Sequence, residues 1–352
     1  MRTYSGPFLT EDGFIQAEIN VEDISGRRKI IDFEEGGDSG EQAVVIPTLY
    51  DTHIHSADSV VKEVPEGTIA EIVGPGGFKH KELARASREE KIEAMRDYFL
   101  EMLNNGIRDL VEFREGGIEG LSLIREAVGL FGDALRARIM TRPVERRFDE
   151  DELEVLLSNS DGIGVSSYRD WEEDELIKVA EMTRDMKKPF AMHCSEDERE
   201  PIDKVLGMDV HHLVHMLEAN MDDLEACAEE DVPVVICPRS NMYFDKMPDI
   251  PMMLRSGVTL ALGTDNAMLA DPDMFNEMKS AYRVAKKNGG VPSIDILKMA
   301  TLNPRKALNY PSDIQSHQDA DTYLIMEPGQ GDTSYELVTR SSAKEIIEIV
   351  EW

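Results

Sequence analysis

The chain has 352 residues, 41% of them hydrophobic and 31% charged, and its 70 acidic against 38 basic side chains leave a formal net charge of -32. The length accommodates one large α/β barrel with an accessory piece, while the charge excludes polyanion binding as a general property, because such a surface repels nucleic acid and anionic membrane. Cys194, Cys227 and Cys237 contain no CxxC pair, which suits a reducing, cytoplasmic interior better than a disulfide framework, and neither a signal-like start nor a run of membrane-spanning length is present.

Residues up to about 43 are short alternating runs broken by turn signals, such as Asp12-Gly13-Phe14 and Gly36-Gly37-Asp38-Ser39-Gly40. The first long apolar run, Val44 to Asp51, leads directly into His53-Ile54-His55. A stretch with Gly74-Pro75-Gly76-Gly77 follows, then a helix opened by the capping box Ser87-Arg88-Glu89-Glu90. That helix carries Ile92, Met95, Phe99 and Met102 on one face and stops at Asn104-Asn105-Gly106. Further strands are expected at Ile107 to Phe113, Ala137 to Thr141, Gly162 to Ser167, Pro189 to His193, His212 to His215, Val232 to Cys237 and Val258 to Thr264. Helices are expected at Ile118 to Phe131, Glu173 to Lys187, Asp222 to Glu230, Asp273 to Lys287 and Ile294 to Leu308. The tail, with Asp321 to Met326 and Glu345 to Val350, resumes the strand-like pattern of the start.

This alternation predicts an α/β fold: a (β/α)₈ TIM barrel over residues 47–309, beside a small β-sandwich-like domain built from both termini, 1–46 and 310–352. Residues two apart on a strand share a face, so His53 and His55 can reach one ion. Three more potential ligands close later apolar runs, namely His193, His215 and Asp265. In a barrel those strand ends converge. Neutral imidazoles and a carboxylate suit a borderline cation such as Zn²⁺ or Fe²⁺ with a position left open for water, whose pKa would drop to roughly 7. Glu196, three residues past His193, has the profile of a general acid leaning over such a site.

Taken together, Asp51-Thr52-His53-Ile54-His55, His193-Cys194-Ser195-Glu196, Leu213-Val214-His215, Cys237-Pro238-Arg239-Ser240-Asn241 and Gly263-Thr264-Asp265-Asn266 resemble the amidohydrolase superfamily of metal-dependent hydrolases, in its deaminase and chlorohydrolase-like branch. Ile296 to Pro304 with Lys306-Ala307-Leu308 is similar to the family's closing helix, and Asp319-Ala320-Asp321 to its return into the small β domain. The resemblance implies a hydrolase of carbon–nitrogen bonds that holds one divalent metal, Zn²⁺ in preference to Fe²⁺, through His53, His55, His193 and Asp265. It further implies that His215 orients water or the tetrahedral centre, that Glu196 shuttles a proton to a ring nitrogen and that Asp265 acts as the base. The fourth strand ends in Gly164-Val165-Ser166-Ser167 with no lysine, which argues for one metal over a carboxylated-lysine pair. The expected reaction is hydrolytic deamination of a pyrimidine, purine, pterin or nucleoside, releasing ammonia. The alternatives are a cyclic amidase or chlorohydrolase-type reaction, and a barrel that binds a ligand without turnover.

The remaining polar residues divide by position. His80 in the first long loop, Arg114 at the end of the second strand and Asn241 after the seventh are candidates for contact with a small-molecule substrate, whereas Arg239 and Ser240 lean toward tying loops together. His211 and His212 sit at a strand entry, the face of a barrel that serves packing, and the cysteines read as small buried side chains. No nucleic acid or membrane partner is expected; a homo-oligomer is a family-level expectation. The dense carboxylates point to a high-salt environment, where they are screened. The melting temperature is therefore expected to rise between about 0.1 and 2 M KCl as the Debye length shrinks from ~10 Å to below 3 Å; a flat or falling salt series, read by thermal denaturation, would remove that reading.

Overall fold

The computed structural model describes residues 1–308 and 322–352, so the Asp319-Ala320-Asp321 return and the residue-309/310 boundary lie outside the described residues. The expected first strand is in fact two. Val44–Pro47 (β5) and Leu49–His55 (β6) belong to different sheets. They part at Thr48, whose amide donates to Thr322 O at 2.9 Å and whose hydroxyl meets that of Thr322 at 2.8 Å. A continuous apolar run cannot reveal such a division, because both halves are buried.

The first sheet combines both ends of the chain. Arg2–Thr10 (β1), Gly13–Ile24 (β2), Arg27–Glu35 (β3) and Glu41–Gln42 (β4) join β5 and, from the far end, Thr322–Met326 (β15) and Ile346–Glu351 (β16). Their order is β2-β3-β16-β15-β5-β1-β4, with β1 also paired to β2. They form one sheet that curls back on itself, in place of the two facing layers of the expected sandwich. Tyr4, Phe8, Ile19, Val21, Ile325 and Val350 fill its interior.

The second sheet contains only parallel neighbours, as crossover helices require. Its members are β6, Ile107–Arg114 (β7), Arg136–Thr141 (β8), Gly162–Val165 (β9), Phe190–Cys194 (β10), His212–His215 (β11), Val234–Ile236 (β12), Leu260–Leu262 (β13) and Asp265–Asn266 (β14), in the order β13-β12-β11-β10-β9-β8-β7-β6-β14. Only Gly263 and Thr264 separate β13 from β14, and β14 pairs with β6. The two ends of the sheet therefore meet. Val111, Phe113, Met140, Ala191, Val214, Val235 and Ala261 pack together inside it.

Local chemistry explains the helices. Ser87 Oγ accepts from Glu90 N at 3.2 Å while the Glu90 carboxylate accepts from Ser87 N at 2.7 Å, opening Arg88–Asn104 as expected, with Met95, Tyr98, Phe99 and Met102 buried. The expected helix at Ile294 to Leu308 is broken into Ser293–Met299 and Leu302–Ala307. Pro304 is the cause, since its ring would clash with the carbonyl of residue 300 in a continuous helix. Glu150–Asn159, a helix the periodicity did not single out, is capped by Asp149 and buries Leu153, Leu156 and Leu157. None of the helices among the described residues is long and apolar enough to cross a membrane.

The junction of β6 with β14 is held by polar groups. Asp51, fully buried, accepts from Thr264 N at 2.9 Å and from Thr264 Oγ1 at 2.6 Å. A Cβ on Gly263 would lie 2.8 Å from both N and O of His53, so only glycine permits this approach. Thr264→Val removes one donor from a buried carboxylate and is expected to destabilise the protein by about 1.5–3 kcal/mol in chemical denaturation; an unchanged midpoint would show that the contact does not hold the junction.

Candidate active site

Strand geometry aims the first pair of imidazoles. All seven residues of β6 are buried, and His53 and His55 project to the same side. His193 is the fourth residue of β10, His215 closes β11 beside it in register with Cys194, and Asp265 opens β14. Their donor atoms crowd together. His193 Nε2 lies 3.2 Å from His53 Nε2 and 3.3 Å from His55 Nε2, and Asp265 Oδ1 lies 3.3 Å and 3.6 Å from those two nitrogens. Ligands about 2.0–2.1 Å from a tetrahedral ion stand roughly 3.4 Å apart, so these spacings fit one divalent cation.

The protonation states suit that role. Burial, followed by the neighbouring imidazoles, holds His193 well below the usual histidine range, and burial also lowers His53 and pushes His55 down to about 3. His193 Nδ1–H donates to Val165 O at 2.8 Å, which leaves the Nε2 lone pair facing the cluster. Burial opposes ionisation of Asp265, but His53 and the other imidazoles outweigh it and keep the carboxylate well below its ordinary range; the Ser240 hydroxyl donates to its second oxygen at 2.5 Å. His215 also stands close, since one donor atom from each of His53, His193, His215 and Asp265 falls within 4.8 Å of the others. Asn241 Nδ2 donates to His215 Nδ1 at 3.2 Å, which puts the His215 proton on Nε2, 3.6 Å from Glu196 Oε1. That tautomer makes His215 a hydrogen-bond donor to whatever occupies the cavity.

The backbone is bent to place these groups. Ser195, His215, Met216 and Asp265 have φ of 47°, 76°, 54° and 64°, left-handed values that cost side-chain-bearing residues energy and cluster at functional sites. Glu200 secures the first bend, accepting from Ser195 N at 3.0 Å while its own amide donates to Ser195 Oγ at 3.0 Å. Lys246 Nζ then ties down the following loop by donating to Glu196 O at 3.1 Å and Asp197 O at 3.0 Å. Glu196 is thereby suspended over the donors, where burial first and the charge of Asp265 second push its carboxyl up to about 8. A carboxyl so placed is protonated at neutral pH and can donate.

A cavity of about 570 Å³ opens above these groups, within the range of small-molecule sites. His55, His193, Glu196, His215 and Asp265 line it, and so does His80, half-buried and lowered to about 4 chiefly by burial. Two of the residues expected to touch substrate lie elsewhere. Arg114 turns into the protein, donating to Glu115 O at 2.9 Å and Glu115 Oε2 at 3.0 Å, and is not part of the lining. Asn241 is buried behind His215. Sequence position fixed their strand ends but not which way their side chains turn. Arg239 ties loops, with Glu277 and Asp271 as partners, and His212 is fully buried. Lys79, Glu115, Arg142 and Arg169, which the residue pattern did not mark, also line the cavity; the only signal for Lys79 was its place in Gly77-Phe78-Lys79-His80.

Comparison with known proteins is consistent across sequence and structure. The model of the amidohydrolase family matches residues 44–325. An uncharacterized protein of Methanocaldococcus jannaschii is 30% identical over 324 residues, covering 86% of this chain and 80% of that protein. A 5-methylthioadenosine/S-adenosylhomocysteine deaminase of Haloquadratum walsbyi is 24% identical over 376 residues, covering 90% of this chain and 81% of the relative. Among solved structures, an adenosine deaminase from Xanthomonas campestris with bound zinc superimposes with a TM-score of 0.78 at 16% identity, over 99% of this chain and 91% of that one.

The donor geometry generates a direct test. His193→Ala deletes the donor that stands next to both His53 and His55, and elemental analysis after gel filtration is expected to show zinc falling from about one ion per chain to less than about a tenth. Retention of stoichiometric zinc by this variant would place the ion elsewhere.

Proposed function

The chain belongs to the amidohydrolase family, and on that premise we propose that it is a mononuclear, metal-dependent deaminase that hydrolyses an aminated N-heterocycle to the oxo compound and ammonia. The observation that carries this reading is the placement of Glu196, which lines the cavity beside the donor cluster with Oε1 3.6 Å from His215 Nε2 and whose carboxyl burial shifts toward the protonated form. Deamination of a ring needs such a group. Water adds to the carbon bearing the amine only as the neighbouring ring nitrogen takes up a proton, after which the carbon–amine bond breaks and ammonia leaves.

His53, His55, His193 and Asp265 would hold the ion, Zn²⁺ by preference, with Fe²⁺ accepted by the same donors. Bound there, a divalent cation supplies a water of pKa near ~7. The other steps fall to side chains. Asp265 Oδ1 faces the imidazoles and would be the oxygen on the ion, whereas Oδ2, which accepts from the Ser240 hydroxyl, would take the proton released as water attacks. His215 Nε2–H donates to the oxygen that develops negative charge, and Asn241 behind it holds that tautomer. Glu196 Oε1 delivers the proton to the ring nitrogen; Asp265 then passes the water's proton to the departing amine, which leaves as ammonia, and the added hydroxyl gives its proton back to Glu196 as the oxo group forms. The left-handed bend at Ser195 comes immediately before the acid Glu196, and the one at Asp265 falls on the base itself. The deaminase name of the Haloquadratum relative supports the same chemistry, and the cavity volume suits a base or nucleoside.

Ammonia release should be followed across aminated pyrimidines, purines, pterins and nucleosides, using protein loaded with zinc or ferrous iron in molar salt. One compound is expected to turn over, and Glu196→Gln to lower kcat by about 10²–10⁴-fold while the metal content stays constant. Because Glu196 acts as its protonated form and burial raises its pKa, activity is expected to fall on the alkaline side as that carboxyl ionises, while the acid limb follows ionisation of the attacking water, giving a bell-shaped pH profile. Unchanged turnover in Glu196→Gln would sink the proton-shuttle role. Silence across the panel with metal bound would shift the reading to cyclic-amide hydrolysis or displacement of halide or alkylamine.

A further inference from the structure

The three imidazoles proposed as metal ligands differ in what stands behind them. His193 has a backbone carbonyl, and His53 Nδ1 is buried with no hydrogen-bond partner. Nδ1 of His55 likewise makes no well-aligned hydrogen bond, but unlike that of His53 it faces a charge, with Glu115 Oε1 3.2 Å away. The same oxygen receives Lys79 Nζ at 2.6 Å and lies 3.5 Å from Arg142 Nη2, while the other oxygen of Glu115 receives Arg114. Lys79 also reaches Asp58 Oδ2 at 2.8 Å, and it is only 3% exposed. Lys79 comes from Phe78–Arg85, a helix of the long segment that follows β6, whereas Glu115 immediately follows β7. A connected path thus runs from this first long loop to a ligand of the metal.

Neither packing nor net charge accounts for this arrangement. A buried ion pair adds little to stability compared with apolar residues of similar volume, and Arg114 and Arg142 already supply Glu115 with counter-charge. Lys79 instead brings its ammonium to the one carboxylate oxygen that faces His55. A carboxylate behind a ligating imidazole fixes the proton on Nδ1 and leaves Nε2 as the donor to the ion. We propose that Glu115 and Lys79 form a positioning relay that locks the tautomer and orientation of His55, so that the first long loop helps set the metal affinity of the site. Neither residue needs to touch substrate for this role.

The test is zinc affinity of the metal-stripped full chain, measured by competition with a chromophoric chelator, a readout that does not depend on what the enzyme deaminates. Glu115→Ala is expected to weaken zinc binding by about 10–100-fold, with the isosteric Glu115→Gln intermediate because its amide oxygen can still accept from Nδ1. Glu112→Gln is the control. It removes a carboxylate from the same buried cluster, one that accepts from Ser56 N at 3.0 Å and stands 3.7 Å from Arg114 Nη1, with no contact to a proposed ligand side chain among the described residues, and should leave affinity within about threefold. Lys79→Met separates positioning from simple electrostatics by sign. Removing a nearby cation would tighten a dication on Coulomb grounds alone, whereas loss of the relay loosens it. Weaker zinc in Lys79→Met and in both Glu115 variants, with Glu112→Gln near wild type, supports the relay. Tighter zinc in Lys79→Met, or equal shifts in Glu112→Gln and Glu115→Gln, overturns it; if Glu115→Ala does not fold, the Gln variants and Lys79→Met decide alone.

Discussion

The approach of the last inner strand to the first is the constraint on which the site depends. Three ligand candidates lie on strands that neighbour others in simple succession, but Asp265 becomes their neighbour only because β14 docks on β6 at Ile54 and His55. Gly263 permits that docking and Asp51 secures it through both polar groups of Thr264. The buried Asp51 carboxyl is pushed up to about 7, mainly by burial, and the Thr264 bonds, with the His53 amide behind them, offset that cost. Closure of the sheet and assembly of the donor cluster are therefore one event, and a fault in either would appear in both.

Convergence brings its own cost, which the backbone bears. Three neutral imidazole nitrogens and a carboxylate oxygen linked by contacts of 3.2–3.6 Å repel unless a cation lies among them. Left-handed φ at Ser195, His215, Met216 and Asp265 adds conformational strain at three of the strand ends. The surroundings over-determine these conformations: Glu200 clasps Ser195, Asn241 sits behind His215, and Ser240 pins Asp265. Strain held by such partners keeps acid, base and donors in place before substrate arrives, which is where preorganised catalysis draws its advantage.

What could be read from sequence follows the same division. His53 and His55 were legible because strand periodicity is strict, and His193, His215 and Asp265 because each closes an apolar run. The helix at Arg88 was legible from its cap, but the break before Leu302 required weighing Pro304 against an otherwise good helical pattern. Thr48, where the first run changes sheets, was hidden because burial on both sides leaves no contrast. Arg114 and Asn241 were placed correctly along the chain, yet their side chains turn toward Glu115 and His215. Such choices depend on partners from distant segments. Lys79 reaches Glu115 across more than thirty positions of sequence, and no local pattern encodes that pairing.

The charge of the chain has to be separated in the same way. A net charge of -32 describes a solvated surface, where interactions decay over about 10 Å in dilute salt and about 3 Å at 1 M. Inside the site the relevant contacts are comparably short but buried, and ions do not enter to screen them. There the acids are matched group by group: Lys79 serves Asp58 and Glu115, Arg114 serves Glu115, and the imidazoles surround Asp265. Among the described residues Glu196 has His215, at 3.6 Å, as its nearest ion-pair neighbour, and burial shifts its carboxyl toward the protonated form. The surface can thus be adapted to salt without disturbing the one protonation difference, between Glu196 and Asp265, on which the proposed chemistry turns.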